Sequence, residues 1–468
     1  MRIRNMKNMK KVVLALCATV GLGGCGDLTV PDLNNPSVES FEQTPSRTAV
    51  LDASTGLLIG HRGGTATQNG YVSLMGVLGR ESYVLDSADP RYIGEMLQGP
   101  GLNAGSPAFG GNFWNGPYIN IRNANTLLNA LDKVTGVSEA EKEAIRGYAK
   151  TIQALDFLVI INTRDENGAA IDVNRALDGA LAPIVGKPEV MAHIARLLDE
   201  AKAHLEAGGD NFPFQLSSGF VEFDATATKK PPMTVKTFIK VNRAVKARVD
   251  VYRKDYSQAL IDLGESFIDT TRSLDRGVYH VYSTGSGDVK NELNDPNIFA
   301  NKALVEDAEK QAGSDTVLDE RVIRKLKTTT KKGDLPGSKK EFNLIFAQYD
   351  TEAQNAPLAI IRNEELILLR AEAHMGLGRP QDALNDLNVI RTTAGKLAKL
   401  PEALEGKLFE DELLKQRRYS LMFEGGHRWI DMRRFGRLAE LRREDPSDQE
   451  FTVHASFPIP KSELDGRQ

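Results

Sequence analysis

The stretch ARVDVYRKDYSQALIDL, starting at Ala247, aligns without a gap on AEAHMGLGRPQDALNDL, starting at Ala371. Ala247 matches Ala371, Ala259 and Leu260 match Ala383 and Leu384, and Asp262 and Leu263 match Asp386 and Leu387. Small residues at matched positions allow two antiparallel helices to approach closely, so the duplication restricts the chain to an architecture of paired helices. In the second copy Gly378 can end one helix in the left-handed conformation, and Pro380 suits the first turn of the next.

Both copies resemble the turn and second helix of a tetratricopeptide repeat. The rest of the chain supports a mostly α fold. Trp114, Tyr118, Ile121, Asn125 and Leu128 share one helical face. Ser138 with Glu141 forms a capping box for a helix running towards Ile161. Further amphipathic segments span roughly 189–206, 235–253, 256–269, 364–377, 380–391 and 410–423. No sustained alternation argues for a large sheet. The two copies are too distant in sequence for a continuous solenoid. Stretches rich in Gly, Pro, Asn and Ser, chiefly 60–112 and 274–357, read as long irregular inserts, and loops on a rigid scaffold are where binding usually resides.

The amino terminus implies export. Arg2, Arg4, Lys7, Lys10 and Lys11 precede the apolar run VVLALCATV, which is well short of the ~20 residues a membrane span needs. LGGC at 22–25 then looks like the lipobox of a bacterial lipoprotein, which makes 1–24 a signal peptide and Cys25 the lipidated residue. Residues 25–40 read as a tether, and 41–468 as a single domain. Cys17 is the only other cysteine, so the mature body has no disulfide. With 41% apolar residues and a net charge of -4, the 468-residue chain can bury a large core, and nothing in the composition suggests nucleic-acid binding.

One short stretch, LMFEGGHRWIDMRRFG at 421–436, places Glu424, His427, Arg428 and Asp431 close together. Glu424-x-x-His427 has the spacing of half a carboxylate di-iron site, but no second copy exists. HExxH, GxSxG, a P-loop and a zinc-type cysteine array are absent. DENG at 165–168 lacks the first acidic ligand and the terminal glutamate of a calcium loop. The cluster therefore reads as charged side chains tying the last helices together, with Trp429 as a packing anchor. No catalytic residue, metal or cofactor is expected.

The lipobox, WNGPYINIRNAN at 114–125, the second repeat copy, RRYSLMFEGGHRWIDMRRFG and FPIPKSEL occur in an order that resembles the SusD-like (RagB/SusD) outer-membrane nutrient-binding lipoproteins. The resemblance implies a tetratricopeptide-like scaffold whose inserts form a ligand face. It also implies a lipid anchor facing the cell exterior, and a partner SusC-like TonB-dependent barrel that receives a captured oligosaccharide or other nutrient without chemical conversion. In this family the carboxyl-terminal signature belongs to the scaffold.

Sugar rings stack on aromatic faces while polar side chains satisfy their hydroxyls. Both tryptophans lie in scaffold-like segments, so the candidate ligand contacts are the insert aromatics Tyr83, Tyr92, Phe109, Phe113, Tyr279, Tyr282 and Phe299. Residues 321–340 carry eight basic residues against one acidic, which reads either as a solvated loop or as an attraction for an anionic ligand. Two other classes stay open. A tetratricopeptide-type assembly scaffold would need no ligand pocket, and a glycoside hydrolase would need a pair of carboxylates in a cleft.

Overall fold

The computed structural model describes residues 38–105, 108–176, 179–223, 230–338, 340–441 and 451–467. The signal peptide and Cys25 lie outside them.

The main helices are α1 (Arg47–Arg62), α2 (Tyr71–Leu78), α3 (Asn115–Leu131), α4 (Glu139–Arg164), α5 (Lys187–Ala207), α6 (Val235–Tyr252), α7 (Tyr256–Glu265), α8 (Asn363–Gly376), α9 (Pro380–Thr393), α10 (Gly406–Ser420) and α11 (His427–Arg434). The capping box that begins α4 is present. Ser138 Oγ accepts from the Glu141 amide at 3.3 Å, and the Glu141 carboxylate accepts from the Ser138 amide at 2.8 Å. These bonds satisfy backbone donors that the first helical turn leaves unpaired. On α3 the buried stripe is Ile121, Ala124, Leu127 and Leu131, whereas Tyr118, Asn125 and Leu128 flank it. The expected face is thus rotated by part of a turn. Trp114 is buried at the head of that helix.

The two repeat copies form the hairpins α6–α7 and α8–α9. Ala247, Ala259, Ala371 and Ala383 are all fully buried, and the absence of larger side chains there lets the paired helices close up. The hairpins are neighbours in space, because α7 packs on α8. At the junction a Cβ on Gly376 would come within 2.1 Å of the Tyr256 ring. A stack of adjacent helices therefore runs from α3 through α9, and the sequence gap between the copies does not interrupt it.

The gap closes because the second insert has a neck. Strand β4 (Gly277–His280) pairs antiparallel with β8 (Leu358–Arg362), bringing the insert's two ends together beside α8. Beyond the neck, β6 (Leu326–Gly333) and β7 (Phe342–Phe346) form a hairpin. Strand β5 (Ile298–Ala300) pairs with β1 (Ser82–Val84) of the first insert. With the short β2 (Ala169–Ala170) and β3 (Ile184–Val185) pair, the sheets among the described residues have two strands each.

The first insert is less irregular than its composition suggests. Helix α1 runs through Gly60, and residues 72–78 of α2 are all buried. Both inserts share one core with the carboxyl-terminal signature: Phe346 stacks on Phe423 at 3.9 Å and 6°, and Trp429 packs edge-on to Phe457. Glycine is required between α10 and α11. Gly426 has φ +74°, and a Cβ there would come within 2.4 Å of Met75 on α2.

Candidate ligand-binding site

The stretch 421–436 is a buried ion network. Glu424 receives Lys325 Nζ at 2.7 Å and Arg362 Nε at 2.8 Å, and Arg362 also pairs with Glu364. Asp431 receives Arg417 at 2.6 Å and Arg434 at 2.9 Å, and Arg434 reaches on to Glu372 on α8. Burial pushes the Glu424 carboxyl up, but the charges of Arg362 and Lys325 outweigh it and bring its pKa down to about 2. Burial also drives His427 down to about 4, so its ring is neutral at physiological pH. Trp429 Nε1 donates to the His454 carbonyl at 2.8 Å. These pairs join α8, α10, α11 and the neck of the second insert. Among the described residues no group of His, Cys, Asp and Glu side chains is arranged to hold a metal ion.

Asp165, from the DENG segment, pairs with Lys187 and sits 3.2 Å from Arg433, which makes it another tie between helices.

The insert side of this network is open. A hollow of about 260 Å³ is walled by Asp275, Tyr279, Arg324 and Gln348, over a floor that includes Arg362 and Glu424. Tyr279 is half-buried on β4, and its hydroxyl donates to the Asp275 carbonyl, which fixes the ring. Arg324 lies 3.7 Å from the Asp275 carboxylate. Gln348 donates its amide to the Met422 carbonyl at 3.0 Å, which fixes that side chain too. A second hollow, of about 420 Å³, uses the neighbouring parts of the same two segments: Lys327–Lys331 and Asp350, with Asn294 and Asp295 opposite. Its base is apolar, from Ile298 and Phe346. Together the hollows form a polar face on the long insert.

The other aromatic candidates lie elsewhere. Tyr83, Tyr92, Phe109, Tyr282 and Phe299 are buried. Tyr83 meets Phe342 edge-on, Tyr92 packs on Phe109 at 4.6 Å, and Tyr282 shares a hydrogen bond with Thr65 and a contact with Arg62. Phe299 is the middle residue of β5, paired with Tyr83. Phe113 is half-buried between Tyr71 and Phe457. A ring must expose a face to stack on a sugar, and these rings spend their faces on the insert core. Tyr279 is the candidate that lines a hollow on the insert face.

The basic stretch is largely neutralised. Arg321 pairs with Asp319, Lys325 with Glu424, Lys327 with Asp350 and Lys332 with Glu341. Asp275 and Gln348 carry no sequence signal as site residues, and Arg324 is marked only as part of the basic stretch. They converge only through the closing of the neck and the packing of β6 and β7.

Residues 329–465 match the model of the SusD family, a match that takes in the last third of the long insert and the carboxyl-terminal helices. The fold is SusD-like. Its fold matches a SusD-like carbohydrate-binding protein from Bacteroides fragilis, with 15% identity over 90% of this chain and 98% of that one, and a TM-score of 0.66. A laminarin-binding SusD-like protein matches with 18% identity, coverage of 90% and 97%, and a TM-score of 0.62. The surface glycan-binding protein A of Bacteroides uniformis matches with 16% identity, coverage of 89% and 96%, and a TM-score of 0.64. Among curated proteins no sequence matches it. In this SusD-like fold the carboxyl-terminal signature is scaffold, and the hollows lie on the insert that the scaffold supports. No helix among the described residues is long and apolar enough to cross a membrane.

Proposed function

We propose that this SusD-like protein captures an oligosaccharide at the outer face of the outer membrane and passes it, unaltered, to a SusC-like TonB-dependent barrel. A lipid on Cys25 would hold it there, since several acyl chains on one residue anchor a protein where a single chain binds only marginally. The observation that carries the reading is the hollow at Tyr279. It combines a fixed aromatic ring with a carboxylate, a guanidinium and an amide at its rim, the combination that a sugar's apolar face and hydroxyls require. Three structures of the same fold bear names that refer to carbohydrate, laminarin or glycan binding.

A neutral glycan suits the site better than an anionic one. The lysines and arginines of the basic stretch are mostly paired with carboxylates, which leaves little net field to attract an anion.

Calorimetric titration of the lipid-free protein against a panel of neutral oligosaccharides, laminarin fragments included, tests the assignment. Tyr279→Ala is expected to weaken the best ligand by about tenfold, on the scale of one lost aromatic contact. The thermal midpoint should hold and salt dependence should be slight. Binding that is indifferent to both Tyr279→Ala and Gln348→Ala would remove the hollow from the ligand's path. Mild-detergent extraction of outer membranes should recover a stoichiometric TonB-dependent barrel with a tagged copy. Recovery of assembly machinery instead would favour the scaffold reading.

A further inference from the structure

A hollow of about 350 Å³ opens on the helical scaffold, between α3, α4, α5 and the extended segment 171–174. It shares no lining residue with the insert face. Its floor reaches into the buried layer of the stack, where Ile121 and Phe157 are 0% and 2% exposed. Gln153, also buried, is held at the floor by its amide donating to Asn125 Oδ1 at 2.6 Å. The volume is at the low end of the roughly 300–1,000 Å³ range of small-ligand sites.

The wall contributed by α5 sets the chemistry. His193 and Arg196 are three residues apart and so lie on one helical face. Neither has a hydrogen-bond or ion-pair partner among the described residues. The His193 ring stands edge-on to Phe157 at 5.1 Å and 86°, which fixes its plane at the edge of the apolar floor. Burial first, and the positive charge of Arg196 second, hold the imidazole below its usual pKa, with Lys150 acting in the same sense and Glu200 against it. Those two are themselves an ion pair. On the opposite wall Asp172 is taken by Arg175 at 2.5 Å.

We propose that this hollow is a second binding site, for a small carboxylate held by Arg196 and His193 over the apolar floor of Ile121 and Phe157. A guanidinium fork matches the two oxygens of a carboxylate, and the imidazole supplies a further N–H donor. The ring or chain bearing the carboxylate would lie on the floor. A dianion such as phosphate fits less well, because the apolar base offers it no donors. Sugar acids and aromatic acids share the required chemistry.

The experiment follows the His193 Cε1–H resonance of the full mature chain, assigned by its loss in His193→Gln. Sodium glucuronate and sodium benzoate are titrated separately at constant ionic strength, with glucose and chloride as controls. A saturable shift with either acid and none with the controls is expected, and the acid that saturates identifies a sugar acid or an apolar acid as the source. Arg196→Gln should weaken binding about tenfold, since a charge-assisted hydrogen bond is lost, and Arg196→Lys should retain part of it. Arg196 is exposed, so neither variant threatens the fold. Tyr279→Ala should leave the titration unchanged, which separates this site from the proposed oligosaccharide site. The absence of a saturable shift with both acids, or equal affinity in Arg196→Gln, would overturn the proposal.

Discussion

The two helix hairpins carry the same ion pair at the same register and bury it to different depths. Lys246 and Asp262 of the first copy align with Arg370 and Asp386 of the second. In the first, the Asp262 side chain is 1% exposed and takes Arg243 at 2.9 Å and Lys246 at 3.4 Å, both cations being buried as well. In the second, Arg370 grips Asp386 through two bonds, of 2.9 and 2.6 Å, while remaining 28% exposed itself. The first hairpin lies inside the stack, between α5 and α8, whereas the second faces α10. A duplicated sequence thus repeats the geometry of a hairpin, and the neighbours decide what each shared charge does for stability.

Removing the carboxylates should expose that difference. Asp262→Ala removes one of the carboxylates shared by two buried cations, which keep Asp199 and Asp250 as partners, and is expected to cost about 3 kcal/mol. Asp386→Ala frees an arginine that can turn to water, and about 1–2 kcal/mol is expected. Denaturant unfolding of the two variants, followed by tryptophan fluorescence, measures both. Equal losses would mean that depth in the stack does not set the strength of the pair.

A third buried carboxyl sharpens the contrast, because its hydrogen-bond donor is backbone and not a cation. Glu81, where the first insert meets the carboxyl-terminal signature, is 1% exposed and accepts from the Phe423 amide at 3.2 Å. Burial raises its pKa to about 7, against the weaker opposing pull of that amide and of Arg428, Arg418 and Lys325. The folded state therefore holds the proton more tightly than the unfolded state, whose carboxyl has the ordinary value of 4.5. Stability from this group is complete below pH 4.5 and is lost as the pH rises through 7. The difference corresponds to about 3 kcal/mol. Glu81→Gln keeps an acceptor for Phe423 and removes the titration. Between pH 4.5 and 8 the wild type should thus lose about 3 kcal/mol more than the variant, and parallel curves would show that the carboxyl is hydrated.

What could be read in the sequence was what depends on neighbours in sequence. The capping box at Ser138, the hairpins, the turn at Gly378 and the scaffold role of 421–436 all rest on spacings of a few residues, and each corresponds to a feature of the fold. Helix α2 was hidden because a run of eight residues with an apolar character gives no period that separates a buried helix from a buried strand. The small sheets were hidden because β1 meets β5, and β4 meets β8, across long stretches of chain. The hollow at Tyr279 inherits that difficulty. Composition marked the long insert as a ligand face, but it could not separate aromatics that fill the insert's own core, such as Phe299 and Tyr83, from one left at the rim.

The smallest expected effect concerns the turns of the two hairpins. Gly378 has φ +68°, and the aligned residue of the first copy, Lys254, adopts φ +60°. The left-handed conformation costs an L-residue roughly 1–2 kcal/mol, a cost glycine avoids. A Cβ on Gly378 would meet nothing within 4 Å, so the penalty of Gly378→Val is confined to the backbone and should be about 1–2 kcal/mol. The reverse exchange, Lys254→Gly, relieves the same strain but gives the unfolded chain more freedom, which offsets roughly 0.4–1 kcal/mol. A net gain of about 0.5–1 kcal/mol is therefore expected from thermal unfolding. A destabilised Lys254→Gly would show that the lysine contributes something its aligned glycine does not. Both turns are closed by the same backbone bond, from the Asp255 amide to the Asp250 carbonyl and from the Arg379 amide to the His374 carbonyl, each at 2.9 Å, so such a loss would have to come from the Lys254 side chain.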